Sequence, residues 1–240
     1  MTSYIRLPLK NAYNVRDLGG YACNGGVTKF HQFIRADGLD RLDDGDIALL
    51  KDYGIKTIID LRSSDELEKS PDAPGLMKFA EYINIPLIPG AAADVTKLTQ
   101  MPPADFLKNF YLSVLEAGHK AIVEVIAAIA EAKEGGVLFH CAAGKDRTGV
   151  IALLILGLAG VSDGDILTNY EVTNTYIRQD PRAAEMAKVI PDEYLQSRRE
   201  SLEPSLEHIN SIGGAFAYLK SVGVNDKALE QVIRRISNCC

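Results

Sequence analysis

Between residues 137 and 157 the chain reads VLFHCAAGKDRTGVIALLILG: apolar as far as Phe139, small or charged from His140 to Thr148, then apolar again from Gly149. An apolar run of strand length, a break of small residues and a longer apolar stretch predict a buried strand over 137–140, a tight turn and a helix over 149–160. The β-branched runs IKTIID (55–60) and YINIPLIP (82–89) predict two further strands. LDDGDIALLKDYG predicts a short helix capped by Asp43 or Asp44 and closed at Gly54. Helical periodicity covers 104–117 and 119–134, the second ending at Gly135-Gly136. It resumes at Ser162 and runs almost to the end, with breaks expected at Pro181, Pro191, Pro204 and Gly213-Gly214. The first forty residues are extended and turn-rich, and Gly19-Gly20 and Asn24-Gly25-Gly26 punctuate a hairpin.

Strands alternating with helices predict an α/β fold with a small, largely parallel central sheet flanked by helices, the helical part 162–240 packing on one side. Residues 89–103, PGAAADVTKLTQMPP, are small, polar and bounded by prolines, so 89–118 is a candidate lid. One domain over 1–240 suits the length and a hydrophobic content of 47%. The polar end of the strand at 55–60, running into Arg62-Ser63-Ser64, lies where open α/β sheets keep their ligands.

Charge narrows the partners. With 32 acidic against 26 basic residues and a net charge of −6, the chain is not built to grip a nucleic-acid backbone, so any phosphate recognition is local. Cys23, Cys141, Cys239 and Cys240 have neither disulfide-scaffold nor zinc spacing, and the last two read as a frayed tail. No apolar run approaches the roughly 18–20 residues of a membrane span, and the N-terminus lacks a signal-peptide core. A cytoplasmic protein without metal or cofactor is expected, though export without a signal is invisible to a sequence.

A turn between a buried strand and a helix N-terminus gathers backbone N–H groups that have no intrahelical partner, and the helix dipole adds partial positive charge. Such a turn is an anion site for phosphate or sulfate. Ala142, Ala143 and Gly144 let an anion approach the main chain, and Arg147, six residues after Cys141, offers a planar two-pronged donor. A cysteine at the mouth of this loop is favoured as thiolate, so nucleophile and oxyanion receptor coincide. Thr148 is placed to donate to the sulfur, and His140 to order the loop. The bland alternative is an inert buried thiol beside a surface arginine. A Walker nucleotide loop fits worse, since it needs Gly at Phe139 and Ser or Thr at Asp146.

HCAAGKDRTG resembles the C-x5-R-[ST] loop of the cysteine-dependent tyrosine and dual-specificity phosphatases, and Lys145-Asp146 makes it similar to their bacterial and fungal tyrosine and lipid phosphatase branch. NVRDLGG, TIIDLRSSDE, IPDEYL and GGAFAYLKSVGV extend the resemblance over most of the chain. It implies a tyrosine phosphatase-like fold with Cys141 as nucleophile, Arg147 and the amides of 142–147 as phosphate receptor, and a phosphotyrosine protein or a phosphoinositide as substrate. A non-catalytic phosphate-binding module is the remaining alternative. The acid loop of the family usually carries Trp-Pro-Asp, and this chain has no Trp. Asp146 resembles the loop aspartate of myotubularin-like lipid phosphatases and is the first candidate acid, with Asp94 and Asp105 as alternatives. Lys145 is expected to add pocket charge or to contact a second phosphate, Asp60 to anchor Lys145 or the loop, and Arg62 to lie at the rim. Arg16 and Asp17 are expected to form an ion pair, and Arg35 to be structural or a rim contact.

Overall fold

The protein is described by a computed structural model covering residues 2–87 and 102–237. The chain opens with β1 (Arg16–Asp17), and the expected hairpin follows, β2 (Ala22–Cys23) pairing antiparallel with β3 (Gly26–Val27). Next come β4 (Phe33–Ala36), α1 (Asp44–Asp52), β5 (Ile55–Asp60), α2 (Ser64–Lys69) and β6 (Glu81–Asn84). The sheet is completed by β7 (Gly136–His140) and has the order β1-β4-β7-β5-β6, parallel except for β1. β7 lies in the middle and every one of its residues is buried. Its side chains alternate, Val137 and Phe139 entering one core and Leu138 the other, because successive strand residues point to opposite faces.

The larger core lies between the sheet and a helical layer: α3 (Pro103–Ala117), α4 (His119–Glu131), α5 (Asp146–Leu158), α6 (Asp163–Glu171) and the C-terminal helices. Those are α7 (Thr173–Ile177), α8 (Pro181–Met186), α9 (Asp192–Leu195), α10 (Arg199–Ile212), α11 (Ala215–Ser221) and α12 (Asp226–Ile236). α5 is the central helix, apolar all round from Val150 to Leu156 and buried all round as that composition requires. The smaller core, with Leu7, Leu9, Leu39 and Leu50, covers the opposite face under the N-terminal segment and α1. Asp43 caps α1, its side chain accepting from the Asp46 amide at 2.8 Å. No described helix is long and apolar enough to cross a membrane.

Several expectations need correction. The strand at 82–89 ends at Asn84, since Pro86 has no N–H for a ladder. α5 begins at Asp146 rather than Gly149, so the charged residues of the loop form its first turn. Pro204 does not break α10; it lies near the N-terminus and forgoes only the bond to the Glu200 carbonyl. β4 was expected only as extended chain, yet it pairs with the central strand. Arg16 and Asp17 do not pair, because adjacent strand residues face opposite sides. Arg16 donates to the Asn169 carbonyl and Thr173 Oγ1, both at 2.7 Å, whereas Asp17 accepts from the His31 amide and the Tyr53 hydroxyl, also at 2.7 Å. Of the candidate lid, 89–101 lies outside the described residues. Its other half is α3, which is built into the core: Tyr111, Val114 and Leu115 are fully buried, and the Leu115 carbonyl accepts from the Tyr218 hydroxyl at 2.7 Å.

Candidate active site

Residues 141–145 join the C-terminal end of β7 to the N-terminus of α5, and the rest of the chain holds this loop from behind. The Ala142 carbonyl accepts from the Gly38 amide at 2.9 Å. Asn14 Nδ2 donates to the carbonyls of Ala143 and Gly144 at 3.2 and 3.1 Å, and Arg35 Nη2 donates to the Gly144 carbonyl at 2.7 Å. With its carbonyls turned back, the loop leaves the amides of 142–145 without a protein acceptor among the described residues. Gly144 has φ +63°, and a Cβ there would meet the Ala36 carbonyl oxygen at 2.5 Å, so the turn requires glycine. Arg35 is therefore structural. Burial pushes its guanidinium down to about 10, still protonated at neutral pH, and Asn169 Oδ1 accepts its other end at 2.6 Å.

Cys141 is 2% exposed and lies at the base of a cavity of about 270 Å³ whose floor includes Ala142, Ala143, Lys145, Asp146 and Arg147. Phe106 and Phe110 of α3, with Ile177, Met186 and Ile190, supply its apolar lining. Arg147 is locked by Glu66: Nη1 reaches Oε2 and Nη2 reaches Oε1, each at 2.7 Å. Nη1 also donates to the Leu61 carbonyl at 3.4 Å, whereas Nη2 keeps a second hydrogen and Nε its own. Glu66 is also the third residue of a capping box on α2, Oε2 accepting from the Ser63 amide at 2.9 Å. Burial opposes its ionisation, but the bonds from Arg147 and Ser63 outweigh this and hold Glu66 down to about 2. The same partner keeps Arg147 above its ordinary value despite burial.

Asp146 opens α5, and its Oδ1 accepts from the Tyr111 hydroxyl at 2.5 Å, with Lys145 Nζ at 3.5 Å. Tyr111 in turn lies 2.6 Å from the Tyr170 hydroxyl. Lys145 is 4% exposed and donates to the Tyr194 carbonyl at 2.6 Å, tying the loop to α9. Lys145 does not reach Asp60, and Arg62 is not at the rim; both Asp60 and Arg62 belong to one buried cluster, in which Asp60 Oδ2 lies 3.8 Å from His140 Nε2 beside the loop. Arg62 Nη2 bridges Asp60 Oδ2 and Asp72 Oδ1, both at 2.8 Å, and Tyr82 donates to Asp60 at 2.6 Å. His140 Nε2 lies 3.1 Å from Asp72 Oδ2, and its Nδ1 is 3.2 Å from the Cys141 carbonyl. Burial disfavours the imidazolium, but Asp72 and Asp60 outweigh it and raise His140 above its ordinary value. Asp60, Asp72 and His140 converge closely enough to ligate a cation, but the Arg62 guanidinium already bridges the two carboxylates. Thr148 is buried, and its Oγ1 has no hydrogen bond among the described residues, so the expected bond to Cys141 is not formed. Asp105 is exposed and does not line the cavity. Asp94, Cys239 and Cys240 lie outside the described residues.

Glu66, Asn14, Tyr111 and Asp72 were not legible as site residues. Only Glu66 carried a local signal, the Ser-x-x-Glu spacing of a capping box, and that signal speaks of a helix start rather than an arginine clamp.

The chain is similar to known phosphatases along most of its length. A tyrosine-protein phosphatase of Nostoc commune is 32% identical over 228 residues, covering 90% of this chain and 77% of that protein. The triple specificity protein phosphatase PtpB of Mycobacterium tuberculosis is 23% identical over 280 residues, covering 93% and 96%. The profile of the tyrosine phosphatase family matches residues 7–237, nearly the whole chain with the Cys141 loop inside it, and the chain belongs to that family.

Proposed function

We propose that the protein hydrolyses phosphotyrosine through a cysteinyl-phosphate intermediate. The observation that carries this reading is the single loop that puts Cys141, the inward amides, Arg147 and Asp146 around one cavity. The thiolate of Cys141 attacks phosphorus, the bond from phosphorus to the phenolic oxygen breaks, and the carboxylic proton of Asp146 goes to that oxygen. Water then attacks phosphorus and gives a proton to the Asp146 carboxylate. The sulfur–phosphorus bond breaks, and inorganic phosphate and the thiolate are released. The loop amides and Arg147 face the equatorial oxygens in both steps.

Phe106, Phe110, Ile177, Met186 and Ile190 line the same cavity as the thiol and suit an aryl ring better than the short polar stem of phosphoserine. A phosphoinositide reading leans on Lys145 as the second cation, and its ammonium is engaged by the Tyr194 carbonyl. The deciding experiment compares kcat/KM for a phosphotyrosine peptide, its phosphoserine counterpart and a phosphoinositide. The phosphotyrosine peptide is expected to lead, and a phosphoinositide lead would overturn the assignment.

A further inference from the structure

Tyr111 is fully buried, yet its hydroxyl meets two oxygens, Asp146 Oδ1 at 2.5 Å and the Tyr170 hydroxyl at 2.6 Å. A phenol has one proton to give. The Asp146 contact has the length of a charge-assisted O–H···O⁻ bond, which puts the Tyr111 proton on that line and makes Tyr170 the donor to Tyr111. The chain of donation therefore runs Tyr170 to Tyr111 to Asp146. We propose that Tyr111, backed by Tyr170, is a positioning residue for Asp146 that reserves Oδ1 and leaves Oδ2 to carry the proton given to the leaving oxygen.

The inference rests on Asp146 as the general acid and adds which of its oxygens acts and what holds it. Both contacts to the carboxyl fall on Oδ1: the Tyr111 hydroxyl from α3 and the Lys145 ammonium at 3.5 Å. A proton on Oδ1 would face a donor and a cation, so the neutral acid carries it on Oδ2. The charged and titratable groups around Asp146 are Lys145, Arg147 and Cys141 of its own loop and helix, Tyr111 of α3 and Tyr170 of α6. Glu66 of α2 is held on Arg147. Tyr111 does not line the cavity and does not replace the acid. Burial, with Asp146 and Tyr170 beside it, keeps its hydroxyl protonated far above neutral pH. Its ring packs edge-on against Phe110 and Tyr170, with centroids 5.7 and 5.9 Å away, so Tyr111→Phe removes the hydroxyl and keeps the packing.

The test measures kcat for aryl phosphates with good and poor leaving groups in Tyr111→Phe, Asp146→Asn and the double variant. General acid catalysis contributes roughly 10²- to 10⁴-fold, so a misaimed acid is expected to lose about tenfold on phenyl phosphate and less than about twofold on a strongly acidic phenol. In the Asp146→Asn background the same hydroxyl deletion is expected to cost nothing further. Equal losses for all leaving groups in Asp146→Asn would remove the acid assignment itself. Leaving-group dependence in Asp146→Asn but none in Tyr111→Phe would overturn the positioning role alone. Should Tyr111→Phe fail to fold, Tyr170→Phe reads the same relay, and losses there that do not depend on the leaving group overturn the proposal.

Discussion

Glu66 and Arg147 meet edge to edge, both terminal guanidinium nitrogens at 2.7 Å from a carboxylate oxygen, although 81 residues separate them. One carboxylate thus starts α2 and aims the phosphate-binding arginine. Glu66→Gln keeps the capping geometry but loses the charge and one edge of the clamp. Activity is expected to fall up to about a hundredfold, the scale at which a small misplacement costs rate. Glu66 is depressed when folded, so its contribution to stability is present above its ordinary value of 4.5 and is lost as pH falls toward about 2. Acid unfolding followed by circular dichroism is expected to be flatter across that window in Glu66→Gln, and an unchanged slope would remove the clamp's energetic role.

Cys141→Ser is expected to abolish turnover while still binding phosphate or vanadate. A serine hydroxyl does not ionise near neutral pH, and the loop, held through its carbonyls by Asn14, Arg35 and Gly38, keeps its amides in place without the sulfur. Residual turnover above background would falsify the nucleophile assignment.

Asn14→Ala leaves the carbonyls of Ala143 and Gly144 without their amide donor, while Arg35 still holds the latter. The half-buried Ala143 oxygen then loses its donor, at a cost of about 1 kcal/mol of stability, the low end because water reaches it in part. Because the loop loosens, inorganic phosphate is also expected to bind more weakly. Chemical denaturation and isothermal titration of phosphate read the two effects separately, and a drop in stability with full phosphate affinity would confine Asn14 to the fold.

The pattern of positions carried the sheet and the loop because both depend on local order: β7 is a short apolar run, and Cys141 and Arg147 share one turn. What it missed depends on pairing across distance. Phe33–Ala36 is too short and too mixed to announce a central strand, and its place follows only from the parallel partner Val137–His140. Asp60 is read toward Lys145 or the loop from its place at the end of a strand. In the fold, Arg62, two residues away, bends back onto Asp60 from the same strand end, and Lys145 turns the other way to α9. Tyr111 and Tyr170 look like ordinary core aromatics, since their hydroxyl partners are set by helix packing rather than spacing.

His140 is raised by Asp72 and Asp60 against its burial, so the stability it adds is fully present below the ordinary histidine value of 6.5 and is lost as pH rises through the higher folded value. Asp72 is lowered, against its own burial, by His140 and Arg62, and its share is lost in the opposite direction, as pH falls below 3.8. The melting temperature of the wild type is therefore expected to decline from pH 6 toward pH 9. His140→Asn is expected to be less stable at pH 6 and flatter across the range. A wild-type decline that persists unchanged in His140→Asn would show that another group controls the alkaline side.

Lys145→Ala separates two accounts of the same residue. If the ammonium served a second substrate phosphate, its removal would lower kcat/KM for a phosphoinositide more than for a phosphotyrosine peptide. The ammonium instead donates to the Tyr194 carbonyl at 2.6 Å and to the Gln196 carbonyl at 3.4 Å, with Asp146 at 3.5 Å. Losing it frees α9, whose Tyr194 packs edge-on against Phe106 of the cavity wall with centroids 5.8 Å apart. The wall that greets any substrate is then less firmly placed, and a buried carbonyl loses its donor at a cost of about 1–3 kcal/mol. Lys145→Ala is therefore expected to lower stability and to reduce kcat/KM for both substrates by the same factor. The measurement is the ratio of the two kcat/KM values in wild type and variant. A ratio shifted against the phosphoinositide would restore Lys145 as a contact to a second phosphate.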